Sequence, residues 1–215
     1  MDRIVRIISL LRKQTPAYVE PIVTRVARQS DPFLVLISCI LSLRTKDATT
    51  AEAGKRLFRV ARTPQQMLSI PLARLSRTIY PVGFYRTKAK NIHAICRRLI
   101  DDFNAKVPDS REELLSLHGV GRKTANLVLG LGFGIPAVCV DTHVHRISNR
   151  LGWVKTAVPE ETEHALEKLL SRKYWIEINT LLVAFGQNIC LPVSPWCSRC
   201  SIRAYCPRAG VGRSR

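Results

Sequence analysis

The sequence LHGVGRKTA, residues 117–125, joins two amphipathic segments of the chain. Gly119 and Gly121 flank a single apolar residue, Val120, and this spacing predicts a tight turn whose backbone N–H groups can approach a phosphate closely. The N-terminus of the helix that follows adds positive potential at the same place. A turn that merely connects two helices is the alternative, but the two cations directly after the turn favour a bound anion. The stretch therefore predicts two helices joined by a hairpin that contacts phosphate.

The whole chain is strongly basic. Its 215 residues include 34 Lys and Arg against 16 Asp and Glu, which gives a formal net charge of +18. Such an excess favours a polyanionic partner, most often nucleic acid, whereas a small acidic substrate alone would not need it. The charge therefore strengthens the interpretation of the hairpin as a contact to the DNA backbone.

Helical periodicity extends over most of the remaining sequence. Apolar residues recur at helical spacing in the set Ile4, Ile7, Ile8 and Leu11 and in the set Ala89, Ile92, Ile95, Cys96, Leu99, Ile100 and Phe103. Pro32, Pro64 and Pro159 stand at expected first helical turns, and Asp109 with Glu112 resembles a capping box. Only residues 135–140 have β character, and a proline interrupts them. We therefore predict an all-α protein, with residues 207–215 frayed.

The longest apolar run, Phe33–Leu43, has eleven residues. A membrane-spanning helix needs about twenty, and a secretory signal carries its apolar stretch at the N-terminus. We therefore expect no membrane contact and a cytoplasmic location, associated with the nucleoid if the source is prokaryotic.

Four of the seven cysteines crowd into a short segment, Cys190, Cys197, Cys200 and Cys206. In a chain without an export signal, this clustering favours metal binding over disulfides. The close pair Cys197 and Cys200 aims two sulfurs at one point, and the flanking loops return the other two. Zinc sites usually show two close pairs, so the spacing favours an iron-sulfur centre while leaving zinc open.

Lys123 and Asp141 are the candidate catalytic residues. Lys123 stands at a helix start, where the helix dipole and Arg122 disfavour the ammonium form, as a nucleophilic amine requires. A lysine that only contacts phosphate is the alternative. A carboxylate such as Asp141 can steady a developing positive charge and move protons. Asp141 also precedes a helical stretch, so a simple N-cap is its alternative.

The chain resembles the endonuclease III family of DNA glycosylases, within the helix-hairpin-helix superfamily. The resembling segments are LHGVGRKTANLVL, VDTHVHRISNR, LSLRTKD, VGFYRTKAKNI and the four-cysteine spacing, and they cover nearly the full chain. The resemblance implies a six-helix barrel over residues 25–135 and an iron-sulfur domain formed by residues 1–24 and 136–215, with DNA bound in a cleft between them. It also implies a 4Fe-4S cluster held by the four cysteines.

The implied activity is that of a bifunctional base-excision-repair enzyme, a DNA glycosylase and AP lyase that acts as a monomer. Lys123 would attack the sugar of a flipped nucleotide, form an imine and lead to β-elimination, with Asp141 as its acidic partner. Oxidised pyrimidines in double-stranded DNA, and abasic sites, would be the substrates.

The residues implied to contact DNA are Gly119, Val120, Gly121, Arg122, Arg44, Lys46, Phe84, His143 and Arg146. Arg44 stands where many relatives carry a glutamine that fills the space left by the flipped base. Phe84 matches an apolar intercalating position, although a core aromatic is its alternative. The loop LPVSPW, residues 191–196, holds no basic residue where relatives often place DNA-contacting cations.

Two other functions remain open from the sequence. Mismatch-specific glycosylases of the same superfamily share the hairpin and the cysteines, but they generally lack the lysine. A non-enzymatic DNA-binding protein whose fold is stabilised by a metal would need only the hairpin and the charge. The presence of both Lys123 and Asp141 would then be a coincidence.

Overall fold

The computed structural model of the protein describes residues 2–215. These residues contain helices and irregular connections, and no strand is present among them, residues 135–140 included. The prediction of an all-α protein is confirmed. The α-helices of the described residues are α1 (Asp2–Gln14), α2 (Ile22–Ala27), α3 (Pro32–Ser42), α4 (Asp47–Phe58), α5 (Pro64–Ser69), α6 (Leu72–Ile79), α7 (Tyr85–Phe103), α8 (Arg111–Ser116), α9 (Arg122–Leu127), α10 (Thr142–Arg150), α11 (Pro159–Leu169) and α12 (Trp175–Asn188).

The chain divides into two compact units. The central unit is Ile22–Ile135, and the terminal unit combines the chain up to Pro21 with Pro136–Arg215. The central unit begins at Ile22, three residues before the expected position 25, because Ile22 is the first residue of α2 and α2 packs against α3 and α4.

The central unit is built around α3. All residues from Phe33 to Leu41 are buried, so the longest apolar run of the sequence is a core helix. The resemblance implies six helices for this unit, and eight helical segments are present. One reason is Pro71, which holds Ile70 in an extended conformation and separates α5 from α6.

The terminal unit has its own core. The α1 residues Ile7, Ile8 and Leu11 are buried against side chains of α10 and α12, which confirms the apolar stripe predicted for the first helix. Two short 3₁₀ turns, Cys197–Arg199 and Arg203–Tyr205, follow α12 and carry the end of the chain back to this core.

The predicted helix starts are mostly correct. Asp31 accepts hydrogen bonds from the N–H groups of Phe33 and Leu34, and Thr63 accepts one from Gln66. The predicted capping box is wrong by one residue: Ser110, not Asp109, caps α8 and bonds to the Glu113 N–H group at 3.3 Å. Ser110 is the residue with extended backbone directly before the helix, so its hydroxyl faces the first turn.

The prediction of a frayed tail differs from the structure. The Arg215 N–H group donates to the Pro195 carbonyl at 2.8 Å, and the Arg215 guanidinium lies 4.5 Å from the centre of the Trp196 ring. These partners lie upstream in the chain, which is why local periodicity did not reveal them. Among the described residues, no helix is long and apolar enough to cross a bilayer.

Candidate active site and cysteine cluster

The hairpin of the central unit has the predicted form. Helix α8 ends before Leu117, and Gly121 directly precedes α9 and provides no side-chain cap. Gly119 has a positive φ of 76°, and a Cβ at this position would lie 2.6 Å from Asn91 Nδ2. Val120 is buried and anchors the turn in the core. Only glycine therefore fits the first hairpin position without strain.

Lys123 is the second residue of α9, and its side chain is exposed. Arg122 beside it is half-buried. The α-helical part of α9 is short, but a π-helical segment, Val128–Gly132, continues it, so that the backbone stays helical for eleven residues. π-helical segments inside α-helices are frequent at functional sites. The helix therefore presents Lys123 directly after the phosphate-binding turn of the sequence prediction.

Asp141 lies in the terminal unit and is the N-cap of α10. Its Oδ1 accepts hydrogen bonds from the His143 and Val144 N–H groups, each at 2.9 Å. The N-cap alternative is therefore realised in the structure. Capping uses one carboxylate oxygen and is compatible with a second, electrostatic role, so the catalytic assignment stays a prediction.

His143 and Arg146 follow Asp141 on α10. Arg146 donates to the Cys190 carbonyl at 2.8 Å and to the Gly186 carbonyl at 3.3 Å, and it lies 3.1 Å from His143 Nδ1. Burial lowers the pKa of Arg146. The structure thus places Arg146 in contacts that join α10 to the end of α12, which the sequence did not suggest. A DNA contact by either residue stays a prediction.

Arg44, Lys46 and Phe84 lie on two loops of the central unit, and all three are exposed. Phe84 is 62% exposed, which rules out the core-aromatic alternative. The Arg44 guanidinium carbon lies 5.7 Å from the centre of the Phe84 ring. Both Arg44 and Phe84 have positive φ, 50° and 56°. The structure therefore brings together two side chains that the sequence separates by forty positions.

The four cysteines of the terminal unit also come together. All are half-buried and line one cavity, whose other walls are mainly apolar and include Ile147, Phe185 and Trp196. Burial raises the pKa of Cys200 to about 11. A thiolate in such a cavity needs compensating positive charge, which a metal centre provides.

Arg150 is a further residue of the cysteine cavity, and sequence reasoning missed it. It is 8% exposed, and its Nη1 donates to Cys190 Sγ at 3.3 Å and to the Leu191 carbonyl at 2.7 Å. Its position four residues after Arg146, on the same face of α10, is the available sequence signal.

Comparisons with known proteins agree with this geometry. Residues 37–172 match the HhH-GPD superfamily of base excision DNA repair proteins. The chain is 52% identical to endonuclease III of Thermotoga maritima over 191 residues, which cover 87% of this chain and 90% of the relative.

Solved structures with the same fold include DNA complexes. An endonuclease III trapped as a covalent intermediate with DNA matches with a TM-score of 0.85 and 38% identity, over 96% of this chain and 95% of the other. A thermostable thymine-DNA glycosylase matches with a TM-score of 0.82 but only 26% identity, over the same shares of the two chains. The chain therefore belongs to the HhH-GPD superfamily of base excision DNA repair proteins and, within it, to the endonuclease III family of DNA glycosylases with AP lyase activity.

Proposed function

We propose that this protein removes oxidised pyrimidines from double-stranded DNA and cleaves the strand at the resulting abasic site, with Lys123 as the nucleophile. The observation that carries the proposal is the exposed position of Lys123 in the first turn of α9, two residues after Gly121. A phosphate held at the turn brings the adjoining sugar to the amine.

The proposed reaction begins when the damaged nucleotide is turned out of the duplex. The Lys123 amine, in its neutral form, bonds to C1′ while the bond from C1′ to the base breaks, and the base leaves with that electron pair and takes up a proton. The sugar ring then opens to an imine between C1′ and Lys123. Loss of a 2′ proton expels the 3′ phosphate, and water releases the lysine.

Asp141 is proposed to stabilise the positive charge that develops on the sugar and on the imine nitrogen. A carboxylate is suited to this role because charge stabilisation in a water-poor site is among the largest contributions to catalysis. Its bonds to the His143 and Val144 N–H groups fix the orientation of the carboxylate.

Borohydride trapping tests the activity and the substrate class together, because it reduces the imine to a stable cross-link. We expect trapping on a duplex with one oxidised pyrimidine and none on the undamaged duplex. Lys123→Gln should abolish trapping while duplex affinity falls little, since one phosphate contact among several is lost. Trapping confined to a duplex with a mismatched, undamaged thymine would indicate a mismatch-specific enzyme instead, and trapping by Lys123→Gln would overturn the nucleophile.

We further propose that Cys190, Cys197, Cys200 and Cys206 hold a 4Fe-4S cluster. All four cysteines line one cavity. Their spacing along the chain supports a cluster over zinc, because structural zinc sites usually show two close ligand pairs and here Cys197 and Cys200 form the one close pair among the four. The Arg150 guanidinium beside Cys190 suits the negative charge of bound thiolates. When bound, the cluster supplies a covalent link among the chain segments that follow α12.

The metal content checks this assignment. We expect anaerobically purified protein to be yellow-brown with about four irons per chain. Cys200→Ser should lose most of the iron, whereas Cys39→Ala, at a buried cysteine of α3, should retain it and serves as the matched control. Stoichiometric zinc with little iron would contradict the cluster.

A further inference from the structure

Lys88 is a buried lysine that neither the hairpin nor the cysteine cavity uses. It lies on the apolar face of α7, four residues before Ile92, and is 5% exposed. Lysine is almost never fully buried unless its charge has partners. Burial lowers the pKa of Lys88 to about 8, so partners that favour the ammonium form matter at neutral pH.

Three oxygen atoms accept hydrogen bonds from the Lys88 ammonium. They are the carbonyl oxygens of Leu41 at 2.7 Å and Leu43 at 2.5 Å, and Thr45 Oγ1 at 2.9 Å. All three belong to the end of α3 or to the loop after it. Carbonyls at a helix C-terminus lack partners within the helix and carry the negative end of its dipole. The ammonium therefore fixes the path of the chain as it leaves α3.

A second loop is connected through Thr45. Thr45 Oγ1 also accepts a hydrogen bond from the Gly83 N–H group at 3.1 Å. A Cβ on Gly83 would lie 2.7 Å from the Arg44 carbonyl oxygen, a distance that backbone atoms cannot relieve cheaply. The loop after α3 and the loop before α7 therefore pack backbone to backbone.

Arg44 and Phe84 occupy the exposed ends of these two loops. Arg44 lies between Leu43 and Thr45, whose oxygen atoms Lys88 binds, and Phe84 directly follows Gly83. Both have left-handed backbone conformations, which L-residues adopt at a cost and keep only where surrounding contacts impose them. The contacts through Lys88 and Thr45 are such constraints, and the Arg44 guanidinium carbon lies 5.7 Å from the centre of the Phe84 ring.

We propose that Lys88 is a positioning residue that holds Arg44 and Phe84 side by side as a two-residue wedge for the duplex. The proposal rests on the proposed function. A base turned out of a duplex leaves an unstacked gap, and both a guanidinium plane and an aromatic ring stack on bases. Because the wedge is already in place before DNA binds, base flipping does not carry the entropic cost of ordering a mobile loop.

The test compares a step that needs base flipping with one that does not. In Lys88→Met, single-turnover excision of an oxidised pyrimidine from a duplex should fall about 10- to 100-fold, the usual effect of displacing a positioned group by about 1 Å. The rate of elimination at an abasic site in a single-stranded oligonucleotide should stay within about 3-fold of the wild-type rate. This substrate has no stacked base to extrude, so the step does not need the wedge.

Matched variants separate positioning from general damage. Arg44→Ala with Phe84→Ala should reproduce the loss on duplex and the retention on single strands. Lys90→Met, at an exposed lysine two residues along α7, should change neither rate. Lys88→Arg keeps the charge and several donors, so it should recover part of the duplex activity.

A fluorescent base analogue placed opposite the lesion gives a readout that does not depend on turnover. Wild-type protein should increase its fluorescence by unstacking it, and saturating Lys88→Met should do so less. If Lys88→Met does not fold, Thr45→Val keeps the lysine but removes the link to Gly83, and it should show the same pattern more weakly.

Two results overturn the proposal. One is an equal loss of duplex excision and single-strand elimination in Lys88→Met or Thr45→Val, which indicates a merely structural role. The other is normal duplex excision in a folded variant. Failure of the wild-type protein itself to excise or to be trapped would instead count against the proposed function.

Discussion

Asp141 has two properties that substitution can separate, its capping oxygen and its charge. Asparagine caps a helix as well as aspartate does, so Asp141→Asn should change the free energy of unfolding by no more than about 0.5 kcal/mol. The loss of charge should lower turnover by about two to four orders of magnitude. Single-turnover kinetics and urea unfolding of the same preparation check both statements.

The control is Asp141→Ala, which loses both properties and should unfold about 1 kcal/mol more easily. Near-normal turnover in Asp141→Asn would show that the residue is only the N-cap of α10, the role that its two 2.9 Å hydrogen bonds already establish.

The two glycines of the hairpin between α8 and α9 differ in backbone conformation and in the space around them. Gly119→Ala forces a side chain into the left-handed region and against Asn91, so we expect a loss of about 1–3 kcal/mol in the free energy of unfolding together with weaker DNA binding. Gly121→Ala is the matched control, because no atom lies within 4 Å of a Cβ there and φ is −99°. Equal stability of the two variants would contradict this account of the turn. Urea midpoints and duplex titrations are the measurements.

The charge of the whole molecule determines how binding responds to salt. With a net charge of +18, reduced to about +16 by a cluster and its thiolates, the protein should release counterions from every phosphate it contacts. Because each contact contributes about 0.9 to the slope of log affinity against log salt, several contacts imply a slope of several units. Titration of an undamaged duplex between low and physiological salt measures this slope. An affinity that does not change with salt would contradict the interpretation of the charge excess.

Local patterns were sufficient for much of the fold and for the identity of the candidate residues. Helical periodicity, the prolines at helix starts and the glycines of LHGVGRKTA depend on near neighbours in the chain, so the sequence by itself determined the all-α class, the hairpin and the cysteine segment. The capping box, which was predicted one residue too early, shows the limit of this local information. Asp109 and Ser110 are both good caps by residue type, and the structure begins α8 at Arg111 with Ser110 as its cap.

Contacts between distant parts of the chain were decided only by the tertiary structure. The pairing of Arg44 with Phe84, the burial of Lys88 under the end of α3 and the docking of Arg215 on Trp196 all join segments whose spacing along the chain has no periodic signature. Arg146 and Arg150 look like surface cations in sequence, yet they donate to carbonyls beyond α12. A cation's charge is local information, whereas its burial depends on which elements pack around it.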